Sequence, residues 1–229
     1  MRRDDLKRRF GQIGEKWGDR LLTALTALLA FLVFVLVPLH ASGVIGFQGY
    51  GFALVFVLAS CVLGASRSPF AVLAIVAGTS LVFVAIALRA HDRSPLDLYF
   101  DAAGFIVVEL ALAFLVARAV FAPGRVTFHR INGAILLYMT IGLIFMALYG
   151  IVGLAFPGAF AGLAIEDKPA LLGNLSYFSF TTLTTIGYGD ITPVHPIARS
   201  LSNLEGVIGQ LYPATLLARL VTLELQDRR

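Results

Sequence analysis

A short segment near the C-terminal end of the chain combines threonines with two closely spaced glycines. It runs from Thr181 to Asp190 and has the sequence Thr-Thr-Leu-Thr-Thr-Ile-Gly-Tyr-Gly-Asp. Gly187 and Gly189 permit left-handed backbone conformations that other residues adopt only at a steric cost. The segment therefore offers backbone carbonyl and threonine hydroxyl oxygens, the groups that can replace water around a cation.

The elements that must position this segment are long apolar runs. The chain of 229 residues is 58% hydrophobic and 14% charged, whereas soluble domains carry about a quarter of charged residues. A helix needs about 20 apolar residues to cross a bilayer. Six runs are long enough to span, at about 21–39, 44–64, 70–89, 99–121, 130–156 and 198–223. A seventh apolar stretch, 171–183, is too short to span, and we interpret it as a re-entrant helix that leads into the motif.

With this motif between two spans, residues 130–225 resemble the potassium channel family. The resemblance implies an all-α membrane protein with six transmembrane helices, and a re-entrant pore helix and selectivity filter between the fifth and the sixth. One filter segment per chain cannot surround an ion, so four identical chains are expected to assemble around an axis. K⁺ is then the permeant ion, no organic cofactor is expected, and the partners are three further copies of the chain and membrane lipids.

The resemblance also assigns the residues of the filter. Gly187 and Gly189 would let the backbone alternate in handedness, so that rings of carbonyl oxygens face the axis. The hydroxyl group of Thr185 would add a further oxygen at the inner end. The implied filter is Thr185, Ile186, Gly187, Tyr188 and Gly189, with K⁺ held by the first four.

The residues expected to support the filter depart from the family pattern at two places. Many family members place tryptophans at the positions of Tyr177 and Phe178, and Phe178 cannot donate a hydrogen bond to Asp190. Thr181 stands where some members carry a glutamate behind the filter. Glu205, on the last span, either supports the filter and adds negative potential, or forms a buried structural hydrogen bond.

The last span contains Gly206, Gly209 and Pro213. Gly209 follows Gly187 by 22 residues, which resembles the spacing of the inner-helix glycine in simple potassium channels. Because Pro213 removes one helical hydrogen bond, we predict a bend in this helix. The alternative is that the glycines only allow close helix packing.

Charge placement predicts the domains and the topology. Fourteen basic residues lie on the side that six spans assign to the cytoplasm, against four outside, so both termini are expected in the cytoplasm and the chain in the cell (inner) membrane. The expected parts are a cytoplasmic segment 1–20, a four-helix domain 21–125 and a pore domain 126–229. The linker near Pro123 is short, so we expect each four-helix domain to pack against the pore of its own subunit.

The first four spans carry few charges. Voltage sensors repeat arginine every third residue within a span, but the fourth span has only Arg118, near its inner end. We therefore expect weak or absent voltage dependence. Glu109 lies near the middle of the same span, where an unpaired charge is costly, and the sequence indicates neither its partner nor the gating stimulus.

Other functional classes fit less well. The net charge of +4 comes from basic residues at span ends, which argues against nucleic-acid binding, and no hydrolase or metalloprotease motif indicates an enzyme. A single cysteine, Cys61, excludes an internal disulfide. A non-selective cation pore or a subunit that needs a partner chain is disfavoured, because neither Gly187 nor Tyr188 is replaced. A transporter of fused channel repeats would need several filter-like segments, and this chain has one. The alternative that stays open is a structural or regulatory membrane protein that conducts nothing.

Overall fold

The computed structural model describes residues 22–44, 69–91, 96–121, 128–165 and 169–227. Nearly all of them are helical. The predicted span 44–64 falls almost wholly outside the described residues, and the other five predicted spans and the short stretch 171–183 each coincide with a helix. The helices are α1 (Leu22–Ala41), α2 (Pro69–His91), α3 (Leu96–Val120), α4 (Phe128–Ala155), α5 (Pro169–Leu183) and α6 (Pro196–Asp227).

Three of the described helices are long and apolar enough to cross a membrane: α1, α3 and α4. In α2 the apolar part is shorter, at Val72–Leu88. The helix α6 has 32 residues, but polar and charged side chains such as Arg199 and Glu205 interrupt its apolar sequence. Length and composition therefore show an integral membrane protein built from helices.

Helix α1 changes its winding halfway. Residues Leu32–Leu36 form a π-helical turn, closed by the Val37 N–H on the Leu32 carbonyl. Pro38 follows at once, and because proline has no N–H it cannot bond the carbonyl of Phe34 one turn earlier. A widened turn next to such a break is a recognised way to absorb it.

Polar and aromatic contacts dock α1 on the helices near the motif. Its N-terminal half meets the start of α4, where the Thr26 hydroxyl donates to the Asn132 carbonyl at 2.9 Å. Its C-terminal half meets α5, where the rings of Phe34 and Phe180 lie 5.5 Å apart. α1 therefore bridges α4 and α5.

Helices α2 and α3 cross where two glycines face each other. A Cβ on Gly78 would lie 2.8 Å from the Gly104 carbonyl oxygen, and one on Gly104 would lie 2.7 Å from the Gly78 carbonyl oxygen. No side chain larger than hydrogen fits at either position without moving the backbone. Helix pairs in membranes commonly use such small residues for close approach.

Helix α3 packs along α4 of the same chain, and its end also touches α6. The Arg219 side chain donates a hydrogen bond to the Phe121 carbonyl at 2.9 Å and lies over the Phe121 ring at 4.7 Å. Within one chain, α3 and the residue that follows it thus contact both α4 and α6.

A two-stranded antiparallel ladder joins the loop after α4 to the residues that follow the motif. Strands β1 (Phe160–Ala161) and β2 (Thr192–Pro193) pair with Phe160 opposite Pro193. The Ala159 carbonyl extends the contact by accepting the Val194 N–H at 2.8 Å. This ladder closes a loop around α5 and the motif.

Gly104→Ala is expected to destabilise the α2–α3 crossing. Alanine favours a helix over glycine by about 1 kcal/mol, but overpacking against backbone costs about 1–3 kcal/mol, so the net change is a loss of stability. Gly150→Ala is the matched control, because its nearest neighbour, Leu175 Cδ1, lies at an ordinary 3.5 Å. Thermal unfolding in detergent should give a lower midpoint for Gly104→Ala and an equal or higher midpoint for Gly150→Ala. Equal midpoints for the two variants would contradict the close crossing.

Candidate ion-conduction site

The backbone of the motif alternates in handedness. Positive φ angles occur at Thr185 (59°), Gly187 (53°) and Gly189 (82°), and Ile186 and Tyr188 between them are not in this region. An alternation of this kind turns successive carbonyl groups toward one side of the chain. Gly187 and Gly189 have the left-handed conformations that glycine permits. Thr185 is a non-glycine residue in the same region, which is an uncommon conformation that the sequence did not indicate.

The first residues of the motif donate hydrogen bonds to carbonyl groups in the last turn of α5. The Thr181 carbonyl accepts the N–H groups of Ile186 at 2.9 Å and Gly187 at 3.2 Å, and the Thr182 carbonyl accepts the Thr185 N–H at 3.0 Å. The last carbonyls of a helix have no partners within it, so here the motif supplies them. Thr181 thus supports the motif through its backbone.

The carbonyl of Leu183, the last residue of α5, is held by both neighbouring helices. The Tyr138 hydroxyl of α4 donates to it at 3.1 Å. From α6, Gly209 comes so close that any Cβ at that position would overlap the same oxygen. The motif therefore starts from a point that α4 and α6 fix together.

Gly209 accordingly serves close packing, one of the two roles left open by the sequence. Gly206 has no atom within 4 Å of the position a Cβ would take. Pro213 lies inside α6 and leaves the Gly209 carbonyl without its helical donor. A bend at these three residues stays a prediction.

A tyrosine ring packs beside the Asp190 end of the motif. The Tyr177 ring is stacked parallel to that of Tyr188, with centroids 6.1 Å apart, and its hydroxyl group interacts electrostatically with Asp190. Gly162 (φ 78°) approaches the Asp190 carbonyl so closely that a Cβ would overlap it. The sequence analysis did not predict the stacking of Tyr177 on Tyr188.

Phe178 packs among aromatic rings. It is buried, and its ring makes edge contacts with Tyr149 at 4.8 Å and Phe160 at 5.5 Å. Phe178 therefore anchors α5 on α4 and on β1, and it contributes to the motif by fixing the helix that precedes it.

Glu205 is fully buried between α4, α5 and α6. One carboxyl oxygen lies 2.5 Å from the Tyr149 hydroxyl, and the other lies 2.6 Å from the Ser179 hydroxyl. These contacts correspond to the buried hydrogen-bonding role that the sequence left open. Tyr149 and Ser179 are 56 and 26 residues away in the sequence, and no local pattern identifies them.

Three further observations delimit the site. The Gln210 amide of α6 donates to the Thr185 hydroxyl oxygen at 3.3 Å, which brings α6 to the inner end of the motif. Among the described residues no group of three or more His, Cys, Asp or Glu side chains could hold a metal ion. Glu109, buried in α3, has no hydrogen-bond partner in the described part of the chain.

Residues 166–225 match a family model described as Ion channel. They contain α5, the motif and nearly all of α6, so the match covers the candidate site. No solved structure gave a significant match.

The chain is also similar to two kinds of curated proteins. It is 37% identical over 95 residues to Two pore potassium channel c from Oryza sativa subsp. japonica, which is 41% of this chain and 19% of that protein. It is 36% identical over 58 residues to Protein LctB from Bacillus caldotenax, or 25% of this chain and 42% of that protein. Protein LctB from Geobacillus stearothermophilus matches to the same extent. The chain thus spans less than half the length of each of these relatives.

Gly209→Ala is expected to disrupt the start of the motif, because the added methyl group would meet the Leu183 carbonyl, which cannot move without moving the motif. Gly206→Ala, in the same helix and open on this side, is the matched control. We expect Gly209→Ala to lower cation flux in liposomes by about tenfold or more, the effect of a 1–3 kcal/mol overpacking penalty. Gly206→Ala should conduct as the unaltered chain does. Normal flux through Gly209→Ala would contradict the packing role.

Proposed function

We propose that the protein is a subunit of a potassium-selective channel that conducts K⁺ across the membrane as a homotetramer. The observation that carries the proposal is the alternating backbone of Thr185, Gly187 and Gly189 at the C-terminal end of a short helix. In this geometry, backbone carbonyls and the Thr185 hydroxyl replace the water of a permeant cation.

Potassium is the ion that the motif and the comparisons favour. The rice relative is named as a potassium channel, and its match accompanies the ion-channel family match over 166–225. The ligands proposed for K⁺ are the carbonyls of Thr185, Ile186, Gly187 and Tyr188. The negative end of the α5 dipole adds a favourable potential for a cation at the inner end.

The assembly follows from what one chain leaves incomplete. A single strand of carbonyls covers one side of an ion, and closed rings of identical subunits are the usual way to complete such a site. The side chains of Ile186 and Tyr188 are 55% and 70% exposed in the isolated chain. Apolar and aromatic groups beside the motif are thereby available to neighbouring copies.

The membrane arrangement proposed has six transmembrane helices, with α5 as the re-entrant pore helix and both termini in the cytoplasm. The support is the helical structure at five of the six predicted spans and the charge bias across them. The contact of α3 with α4 and α6 of its own chain supports a four-helix unit that packs on its own pore. Weak voltage dependence is proposed because one arginine in the fourth span carries too little gating charge.

Potassium flux through the purified protein in liposomes tests the function. We expect K⁺ to flow into the liposomes down its concentration gradient and an equal Na⁺ gradient to drive little influx. We expect Gly187→Ala to abolish the K⁺ flux, since each left-handed alanine costs about 1–2 kcal/mol and all four filter strands carry it.

The matched control is Gly158→Ala. Gly158 also has a positive φ (80°) and, like Gly187, no atom within 4 Å of a Cβ, but it lies in the loop after α4. Gly158→Ala should keep its K⁺ selectivity. Equal K⁺ and Na⁺ flux in the unaltered chain, or normal selectivity in Gly187→Ala, would refute the assignment.

Native mass measurement tests the assembly. The chain has a mass of 24.6 kDa, and the expected main species is four chains. A dimer as the only stable species would exclude the proposed ring.

A further inference from the structure

The carboxyl group of Glu205 lies within a linear series of short oxygen contacts beside the proposed filter. Tyr149 Oη is 2.5 Å from one Glu205 oxygen, and Ser179 Oγ is 2.6 Å from the other. Ser179 Oγ is also 2.6 Å from the Gly142 carbonyl oxygen. The four groups come from three helices, so the chain of contacts joins α4, α5 and α6.

Counting protons determines the state of this carboxyl group. Ser179 has one hydroxyl proton, but it makes two contacts of hydrogen-bond length. The Gly142 carbonyl can only accept, so the Ser179 proton goes to it. The contact between Ser179 and Glu205 then needs a proton from Glu205, because two bare acceptor oxygens at 2.6 Å repel each other.

The neighbours of the cluster do not supply a substitute proton. The Tyr149 hydroxyl donates its one proton to the other oxygen of Glu205. The nearby Ser202 hydroxyl spends its proton on the Ala198 carbonyl at 2.9 Å. Tyr138 of α4 is the other titratable group near Glu205, and its hydroxyl proton goes to the Leu183 carbonyl.

We infer that Glu205 is a neutral carboxylic acid that positions the pore helix, passing hydrogen bonds in one direction from Tyr149 through Glu205 and Ser179 to the Gly142 carbonyl. The inference rests on the proposed channel function for its consequence, but not for its geometry. Glu205 is a positioning residue, since it acts on the filter through α5.

Electrostatics favours the same state. Ser179 lies near the C-terminal end of α5, the negative end of the helix dipole, and an anion beside it would be destabilised. An ionised carboxylate without a cation partner is also costly in a buried site at membrane depth. A neutral acid avoids both costs and keeps both of its oxygens hydrogen-bonded.

The consequence for the filter is positional. Ser179 is one helical turn before Leu183, and Glu205 is one turn before Gly209, and Leu183 and Gly209 are in close backbone contact between α5 and α6. The acid and the Gly209 contact therefore hold α5 at successive turns. This series of hydrogen bonds from Tyr149 to the Gly142 carbonyl is called the relay below. Its loss would release α5 one turn before the proposed filter begins.

Glutamine and aspartate variants separate the neutral acid from a carboxylate. Glu205→Gln places an amide oxygen toward Tyr149 and an amide N–H toward Ser179, so it reproduces the directions of a neutral acid. Glu205→Asp keeps the ionisable group but is one methylene too short to reach both partners. We expect K⁺ flux within about threefold of the unaltered chain for Glu205→Gln, and a loss of roughly tenfold or more for Glu205→Asp and Glu205→Ala, because buried partners are left unsatisfied.

Ser179→Ala and Glu205→Ala should lower flux by similar factors, and the double variant should lose little more than either single variant, because both break the same relay. A Glu205→Gln variant with as little flux as Glu205→Ala, or additive losses in the double variant, would overturn the inference.

Infrared spectroscopy tests the proton directly and does not depend on conduction. The unaltered protein in lipid at neutral pH should show the carbonyl stretch of a protonated carboxylic acid. Asp97 and Glu109 are also buried carboxyl groups, so the band is assigned by its loss in Glu205→Gln and its persistence in Asp97→Asn and Glu109→Gln. Absence of a band that depends on Glu205 would overturn the inference. If the unaltered chain shows this band but carries no K⁺ flux, the proposed function fails and the neutral acid stands.

Discussion

The position of one backbone carbonyl group determines where the motif Thr181–Asp190 leaves its helix. The Leu183 oxygen ends α5, accepts the Tyr138 hydroxyl and lies against Gly209. A buried carbonyl needs a partner, and here the partner comes from α4, while the space that it needs comes from α6. The left-handed residue Thr185 follows two positions later. Three helices thereby fix a single starting point for the left-handed residues of the motif, and a change in any one of these packing contacts would be carried into it.

The helices of the N-terminal part contribute to the same arrangement. Through Phe34, α1 reaches the ring of Phe180, and the Phe180 ring in turn lies against Gly142 of α4, with the nearest ring carbons 3.1 Å from a Cβ built there. The Gly142 carbonyl is the final acceptor of the relay through Ser179. Helix α5 is thus covered by a side chain from α1 and held by polar groups from α4 and α6.

Sequence was sufficient for the features that depend on local composition. The helices that coincide with predicted spans are long apolar runs, and the left-handed glycines at 187 and 189 lie within a compact motif. What sequence missed depends on contacts between distant segments or on strain. The positive φ of Thr185 is imposed on a residue with no intrinsic preference for it. The partners of Glu205 and the ring that stacks on Tyr188 come from side chains whose approach is decided only by packing. The pairing of β1 with β2 involves two residues on each side, too few for any alternating pattern.

The ladder between β1 and β2 links two loops that are distant in the sequence. The loop after α4 reaches the residues beyond the motif through the pairing of Phe160 with Pro193, and Gly162 in the same loop lies directly on the backbone of Asp190. A displacement of this loop would therefore be transmitted to the Asp190 end of the motif through short backbone contacts. It would not pass through α5, which joins the other end of the motif.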